Sequence, residues 1–411
     1  MDALPALTRM VGDLAPTFGA DYWSTKPYVY ESRGDAQRFD DLFSADAVDE
    51  LVTSRGIRTP FMRMATEGTV LAQKSYTAPG GFGAEVGDQV SSEKVLAEFA
   101  GGATIVLQGL HRTWPPLVEF TRRLTDDLGH PAQVNAYITP ASSRGFDPHY
   151  DVHDVFVLQI SGEKQWRIHR PVHVDPLRDQ PWSDHRAAVA AEASGAAHID
   201  RVLQPGDVLY LPRGWIHSAE ALGGTSVHLT IGIAAYTRAD VASTLLEVIG
   251  KTPALRGSLP LGIDFSDPAE VQPIVEQVLE SLRAALAVPD DRSTAARQVQ
   301  SVGAALARRL ATDVKPEPVS PLATVDAIAA LSATSRVRWR GSLRARVEDA
   351  GETVRILAGT KVLALPAEAA SAVRALAGGA PTAVGALPGL DTDSAIVVVR
   401  RLLREGLVVP A

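Results

Sequence analysis

The chain has 411 residues, 45% hydrophobic and 21% charged, a globular balance that excludes disorder and a coiled coil and leaves room for two or three domains. Acidic residues outnumber basic ones by 48 to 40, for a net charge of −8, so a generally basic, DNA-coating protein is not expected, while a local basic patch stays open. Cysteine is absent, which removes disulfides, iron–sulfur clusters, zinc fingers and thiol nucleophiles; any metal must be held by His, Asp or Glu.

No apolar run reaches the roughly 18 residues of a membrane span, and the start, MDALPALTRMVGDLAP, lacks the basic-then-apolar order of a signal peptide. A cytoplasmic protein with no membrane contact is expected. Along the first 130 residues short helices and strands alternate. FSADAVDELV (43–52) predicts a helix capped by Ser44, and SSEKVLAEFA (91–100) one capped by Ser91 or Ser92. TAPGGFGAE (77–85) reads as a glycine-rich loop without phosphate-loop spacing. ATIVLQGL (103–110) predicts a buried strand, and WPPLVEFTRRLTDDLG (114–129) a helix opened by proline and closed by glycine.

From 131 to 236 the character changes. QVNAYIT, DVFVLQISG, KQWRIHR, DVLYLPR and SVHLTIGIAAY are strand-like segments between turn signals such as SG and PG. They predict an antiparallel sandwich or barrel, interrupted by a loop with some helix at 178–197. Beyond 238 the chain turns helical: 268–288 and 294–312 carry apolar residues at three- and four-residue spacing. KPEPVSP (315–321) is a proline-rich linker. The remainder reads as strands (RVRWRGSLRARVED, ETVRIL), a helix (PAEAASAVRALAGG), a second helix (DSAIVVVRRLLREG) and a short strand (LVVP). This order is compatible with a winged helix.

The chemistry concentrates in FDPHYDVHDVFVLQISGEKQWRIHRP (146–171) and PGDVLYLPRGWIHSAEAL (205–222). His149 and Asp151 stand two residues apart, so an extended backbone projects both from one face. His217 follows PRGW and is the candidate third donor. Two histidines and one carboxylate on one side of a metal leave other positions open, as in non-haem Fe(II) oxygenases. Lys164, one of few lysines, stands in an apolar and aromatic strand. Facing inward it needs an anion, which one end of a dicarboxylate co-substrate would supply; facing outward it is an ordinary surface lysine, and periodicity leaves both open. Asn135, Tyr137 and Thr139 share one strand face, which suits either a polar interior or ordinary hydrogen bonding near a strand edge.

Together, HYD, GEKQW and PGDVLYLPRGWIH resemble the JmjC-type, cupin-fold 2-oxoglutarate oxygenases, and most of all their ribosomal-oxygenase branch. YWSTKPYVY (22–30) is similar to that branch's N-terminal segment. The resemblance implies an α+β protein with a double-stranded β-helix (jelly-roll, cupin) core in a catalytic domain at 1–238, a helical dimerisation region at 239–314 and a winged-helix-like module at 322–411. It implies Fe(II) held by His149, Asp151 and His217. It places Lys164 at the distal carboxylate of 2-oxoglutarate, Asn135 beside the iron-bound end, and Tyr137 in the substrate groove. Where the family often has a serine near the co-substrate this chain has Gly232; Thr230 and His228 are the candidates to replace it. The implied reaction hydroxylates a protein side chain, an Arg or His of a ribosomal protein, in a homodimer; the acidic charge balance, separately, leaves direct nucleic-acid binding unexpected.

Three other readings stand beside it. One is an oxygenase that tailors a peptide natural product or small molecule. A second is a non-catalytic binding or regulatory protein using the basic stretch RVRWRGSLRAR (336–346) on DNA. The third is a cupin enzyme that does without 2-oxoglutarate, in which Lys164 has no role.

Overall fold

The computed structural model describes residues 4–66, 68–141, 147–286 and 292–411. Phe146 and the last two residues of the expected 268–288 helix lie outside the described residues. The chain divides into two compact units, 1–235 and 236–411. None of the described helices is long and apolar enough to cross a membrane.

In the first unit the helices begin where their caps place them. After α1 (Pro5–Val11), α2 (Ala45–Ser54) starts at Ser44, whose Oγ accepts the Ala47 N–H at 3.2 Å. α3 (Ser92–Ala100) is capped by Ser91. α4 (Pro115–Leu128) opens on proline and ends at Gly129 in the left-handed region. In the 178–197 insert only α5 (Arg186–Ala193) and one preceding 3-10 turn are helical.

Nine strands form one antiparallel sheet among the described residues: β1 (Tyr28–Tyr30), β2 (Met62–Thr66), β3 (Thr69–Val70), β4 (Thr104–Leu107), β5 (Ala132–Thr139), β6 (Asp154–His169), β7 (Ile199–Leu203), β8 (Val208–Leu211) and β9 (Ile216–Ile233). Their order is β1-β8-β6-β9-β5-β4-β2-β3, with β7 on the far half of β6. Two segments expected as separate strands, DVFVLQISG and KQWRIHR, are one strand. The SG pair is no turn; Gly162, at φ +65°, kinks β6 without ending it. β9 answers with its own irregularity between Leu222 and Val227. Each long strand therefore serves twice. The first half of β6 pairs with β8 and with residues 227–233, and its second half with β7 and residues 216–222.

Alternation along these strands sorts the side chains. Phe156, Leu158, Val208, Tyr210, Leu229, Ile231, Val134 and Ala136 point into one core with the N-terminal helices. Val155, Val157, Leu209 and Leu211 point the other way, with Trp166, Ile168 and Trp215. Phe156 is fully buried against Phe18 and Tyr210, at ring separations of 5.7 and 4.8 Å.

The second unit opens with α6 (Arg238–Ile249), whose Thr237–Asp240 capping box is complete, followed by α7 (Pro268–Leu286) and α8 (Arg292–Asp313). Arg309 on α8 pairs with Asp240 at 2.8 Å. The 315–321 linker is anchored, because Glu317 pairs with Arg338 and accepts the Gly341 N–H. After α9 (Pro321–Ala329) come β10 (Arg336–Trp339), β11 (Ala345–Ala350), β12 (Thr353–Ala358), β13 (Lys361–Pro366), α10 (Ala370–Ala377), β14 (Thr382–Ala383), α11 (Thr392–Arg404) and β15 (Val408–Pro410). They form two three-stranded antiparallel sheets, β14-β10-β15 and β11-β12-β13, over one core that includes Trp339, Ile356, Val373 and Leu402. β13 has no counterpart in the sequence reading, although it alternates: Leu363 and Leu365 are buried while Val362 is exposed.

Replacing Phe156 by Ala removes the ring on which Phe18 and Tyr210 close. The expected loss is about 3–5 kcal/mol of stability in the first unit, read as an earlier denaturant midpoint of the near-UV signal with the far-UV spectrum intact at zero denaturant.

Candidate metal centre

The ligand triad assembles at one backbone rung. His149 and His217 form an isolated antiparallel bridge: the His149 N–H donates to His217 O at 3.2 Å and the His217 N–H to His149 O at 2.8 Å. Asp151 does not continue a strand, contrary to the extended-strand expectation for the pair. It lies in the turn before β6, and its carbonyl accepts the Gly214 N–H at 3.0 Å. The PRGW bend is thus tied directly to the carboxylate-bearing residue. Only glycine fits at 214, where φ is +88° and a Cβ would stand 2.7 Å from His173 O.

The donor atoms of His149, Asp151 and His217 all lie within 4.8 Å of one another. His217 Nε2 is 3.7 Å from Asp151 Oδ2. Each imidazole is oriented by a carbonyl at its other nitrogen, His149 Nδ1 on Asp147 O at 2.7 Å and His217 Nδ1 on Trp215 O at 3.0 Å. With Nδ1–H donating, Nε2 carries the lone pair that a metal takes. Electrostatics keep the buried imidazole neutral, as a metal ligand must be. Burial, with His149 beside it, pushes the His217 pKa down to about 4. Burial alone would raise the Asp151 carboxyl, but the imidazoles of His153, His217 and His149 outweigh it and hold the group below its ordinary range.

The triad opens into a cavity also lined by Tyr137, Thr139, Lys164, Trp166, His228 and Thr230. Lys164 is 3% exposed. Its Nζ donates to Thr139 Oγ1 at 3.0 Å, and no carboxylate pairs with it among the described residues. Burial lowers its pKa to about 7. The inward reading of Lys164 is therefore the one realised, and the kink at Gly162 realises it. Before the kink Val155 and Val157 face the cavity; beyond it Lys164 and Trp166 do. The odd-to-even switch is the signature of a bulge.

Of the other expected residues, Tyr137 lines the cavity, stacked on His228 at 5.2 Å, and burial raises its phenol pKa. Thr230 lines it too. Asn135 shares the face of Tyr137 but does not line the cavity; its Oδ1 accepts the Gly109 N–H at 3.1 Å. Gly232 has no side chain because His153 occupies the space: a Cβ there would meet His153 Cδ2 at 2.5 Å. Sequence reasoning missed Trp166, although it stands two residues from Lys164 on the same strand. It also missed Trp182 in the insert, whose ring lies 6.2 Å from that of His149.

The cavity fits a dicarboxylate. Among the described residues it holds a buried ammonium with one hydroxyl partner, and two of its residues, Trp166 at Nε1 and His228 at Nδ1, have buried nitrogens without a hydrogen-bond partner. The donor set, two imidazoles and one carboxylate, suits Fe(II).

Residues 116–241 match the family model of the JmjC domain. Over 118 residues the chain is 42% identical to ribosomal oxygenase 1 of Rattus norvegicus, covering 28% of this chain and 19% of that one. It is 27% identical over 256 residues to the bifunctional lysine-specific demethylase and histidyl-hydroxylase NO66 of Drosophila persimilis, covering 60% and 35%. The chain thus spans about a fifth to a third of these relatives' length. In fold it is similar to the ribosomal oxygenase YcfD of Escherichia coli, with TM-score 0.51 and 19% identity over 96% of this chain and 98% of that one. A complex of YcfD with cobalt and 2-oxoglutarate gives TM-score 0.50 at 18% identity, over 97% and 98%. The cupin-type fold expected from the sequence is the fold observed.

Because Lys164 titrates near 7 when folded and near 10.4 when unfolded, the unfolded chain binds more protons between those values. Stability of the ligand-free protein then rises with pH across that window. Lys164→Met should raise the melting temperature most below pH 7, with the gain vanishing above about pH 10.5. Thermal scans of both proteins from pH 6 to 10.5 check this. A second substitution, Gly214→Ala, should weaken Fe(II) or Co(II) binding at least tenfold while the sheet remains folded, as measured by metal titration.

Proposed function

We propose, from the JmjC domain this chain carries, that it is an Fe(II)- and 2-oxoglutarate-dependent oxygenase that hydroxylates a protein side chain, an Arg or His of a ribosomal protein. One observation carries the reading: two histidines and an aspartate with converging donor atoms share a cavity with a buried lysine that no carboxylate pairs with among the described residues. The named relatives, ribosomal oxygenases and a histidyl-hydroxylase, supply the substrate class. The net charge of −8 suits a basic target.

His149, Asp151 and His217 would hold the iron, with the carbonyls of Asp147 and Trp215 fixing the two imidazoles. Bound iron and 2-oxoglutarate supply the oxidising chemistry, in which O2 and 2-oxoglutarate become succinate and CO2 as a substrate C–H gains a hydroxyl. Lys164 pairs with the distal carboxylate, and the neighbouring anion returns its pKa toward the ordinary lysine range. Thr139 orients the ammonium. Tyr137, Trp166 and His228 wall the cavity against water, and burial keeps His228 neutral, so it adds no second cation beside Lys164. Asn135 steadies the Gly109 backbone rather than lining the cavity; Thr230 contributes a hydroxyl to the cavity wall. We further read 239–314 as a dimerisation region, 322–411 as a winged-helix-like module, and the protein as a cytoplasmic homodimer.

The test is succinate production by anaerobically iron-loaded protein given 2-oxoglutarate and air, with and without purified ribosomal proteins. Wild type should turn over, faster with its substrate. His149→Ala should lose turnover at least a hundredfold. Lys164→Ala should raise the 2-oxoglutarate KM at least tenfold. Wild type that binds neither metal nor 2-oxoglutarate would overturn the reading.

A further inference from the structure

Asp154 opens β6 shortly after the ligand Asp151, and the reaction above gives it no role. It is fully buried. A buried carboxylate is unfavourable unless hydrogen bonds replace its water, and donors from two distant segments do so. Tyr210, on β8, donates its hydroxyl to Oδ2 at 2.7 Å, and the Ser24 hydroxyl donates to the same oxygen at 3.2 Å. Oδ1 accepts the Arg213 N–H at 2.9 Å.

The two oxygens serve different ends. Oδ2 fastens the N-terminal segment. Ser24 stands at φ +53°, in the left-handed region that disfavours a side chain, and its N–H donates to the Tyr210 hydroxyl oxygen at 2.9 Å. Trp23 stacks on the Tyr210 ring at 6.0 Å. This segment lies outside residues 116–241, the stretch that matches the JmjC domain. Oδ1 serves the metal centre. Successive N–H groups of the PRGW bend reach back to the turn before β6: Arg213 to Asp154 Oδ1 at 2.9 Å, and Gly214 to Asp151 O at 3.0 Å. His217 follows the bend and closes its rung with His149. The bend between the carboxylate donor and the second imidazole therefore hangs from these two bonds, and one of them ends on a side chain.

We propose that Asp154 is a positioning residue for the metal centre: through the Arg213 N–H, Oδ1 sets the place of the bend and so the separation of Asp151 and His217, while Oδ2 fastens the N-terminal segment. This role rests on the metal reading above. The bend itself allows one hydrogen to be removed. It is closed by the Trp215 N–H on Pro212 O at 3.3 Å, with Gly214 in third place at φ +88°, a type II pattern in which proline suits the second place. Arg213→Pro therefore keeps the turn and deletes the N–H. Arg213→Ala keeps the N–H and loses the guanidinium contacts with Asp175 and Ser24.

The experiment titrates the full chain with Co(II), followed by its visible d–d bands, beside Arg213→Pro, Arg213→Ala, Asp154→Ala, Asp154→Asn and Tyr210→Phe. Urea midpoints of all six proteins give their stabilities. Arg213→Pro and Asp154→Ala should weaken Co(II) binding about tenfold or more and shift the bands, while Arg213→Ala and Tyr210→Phe stay within about threefold of wild type even where they lower the urea midpoint. Asp154→Asn, whose amide oxygen still accepts the Arg213 N–H, should recover most of the affinity. The bond is broken from both ends, so if either Asp154→Ala or Arg213→Pro does not fold, the other decides. Wild-type affinity and bands in the folded variant would overturn the proposal. So would affinities that merely track stability across the set, or an Asp154→Asn as weak as Asp154→Ala, which would assign the effect to charge rather than to the bond. Wild type that takes up no Co(II) would overturn the metal reading and this role with it; wild-type binding that the substitutions leave untouched would overturn the role alone.

Discussion

Two reciprocal backbone hydrogen bonds, between His149 and His217, hold the site together. They lock the turn before β6 to the start of β9 and bring two imidazoles to a ring separation of 4.5 Å. Asp151 completes the set through a second backbone bond, from the Gly214 N–H. The main chain thus fixes where the three donor-bearing residues stand. The side chains add only the last orientation, through the Asp147 and Trp215 carbonyls.

The cavity behind the triad follows from strand alternation interrupted twice. β5, β6, β8 and β9 each give one face to the core shared with the N-terminal helices and the other to the inner cluster and the cavity. An uninterrupted β6 would show Val155, Val157 and then odd-numbered residues to the cavity, leaving Lys164 on the opposite face. The kink at Gly162, matched by the irregularity in β9, changes the phase. A buried ammonium costs several kcal/mol when unpaired, and the fold bears that cost with one hydroxyl partner. The energy spent on the ligand-free state is recovered when an anion arrives, so binding and stability are linked at this residue.

Gly232 shows how a departure from a family pattern acquires a local cause. The sequence shows a glycine where a serine is common. The structure shows His153 filling the volume a side chain would need. His153 in turn helps hold the Asp151 carboxylate ionised.

Much was legible in the residues themselves. Ser44, Pro115 and Gly129 mark helix ends because capping is local chemistry, settled within four residues. The two-residue spacing of His149 and Asp151, and the PGDVLYLPRGWIH context of His217, picked out the three donors that the fold brings together, because metal chemistry restricts the donor types. What depends on contacts distant in sequence was not legible. Gly162 reads as a turn until its partner strand is seen to continue beside it. Lys164 could face either way until the bulge set its phase. Asn135 shares the face of Tyr137, yet its amide is taken by Gly109 in another segment. Local sequence determines where elements begin and which donor atoms are available; tertiary pairing determines strand register, and register decides which side chains meet.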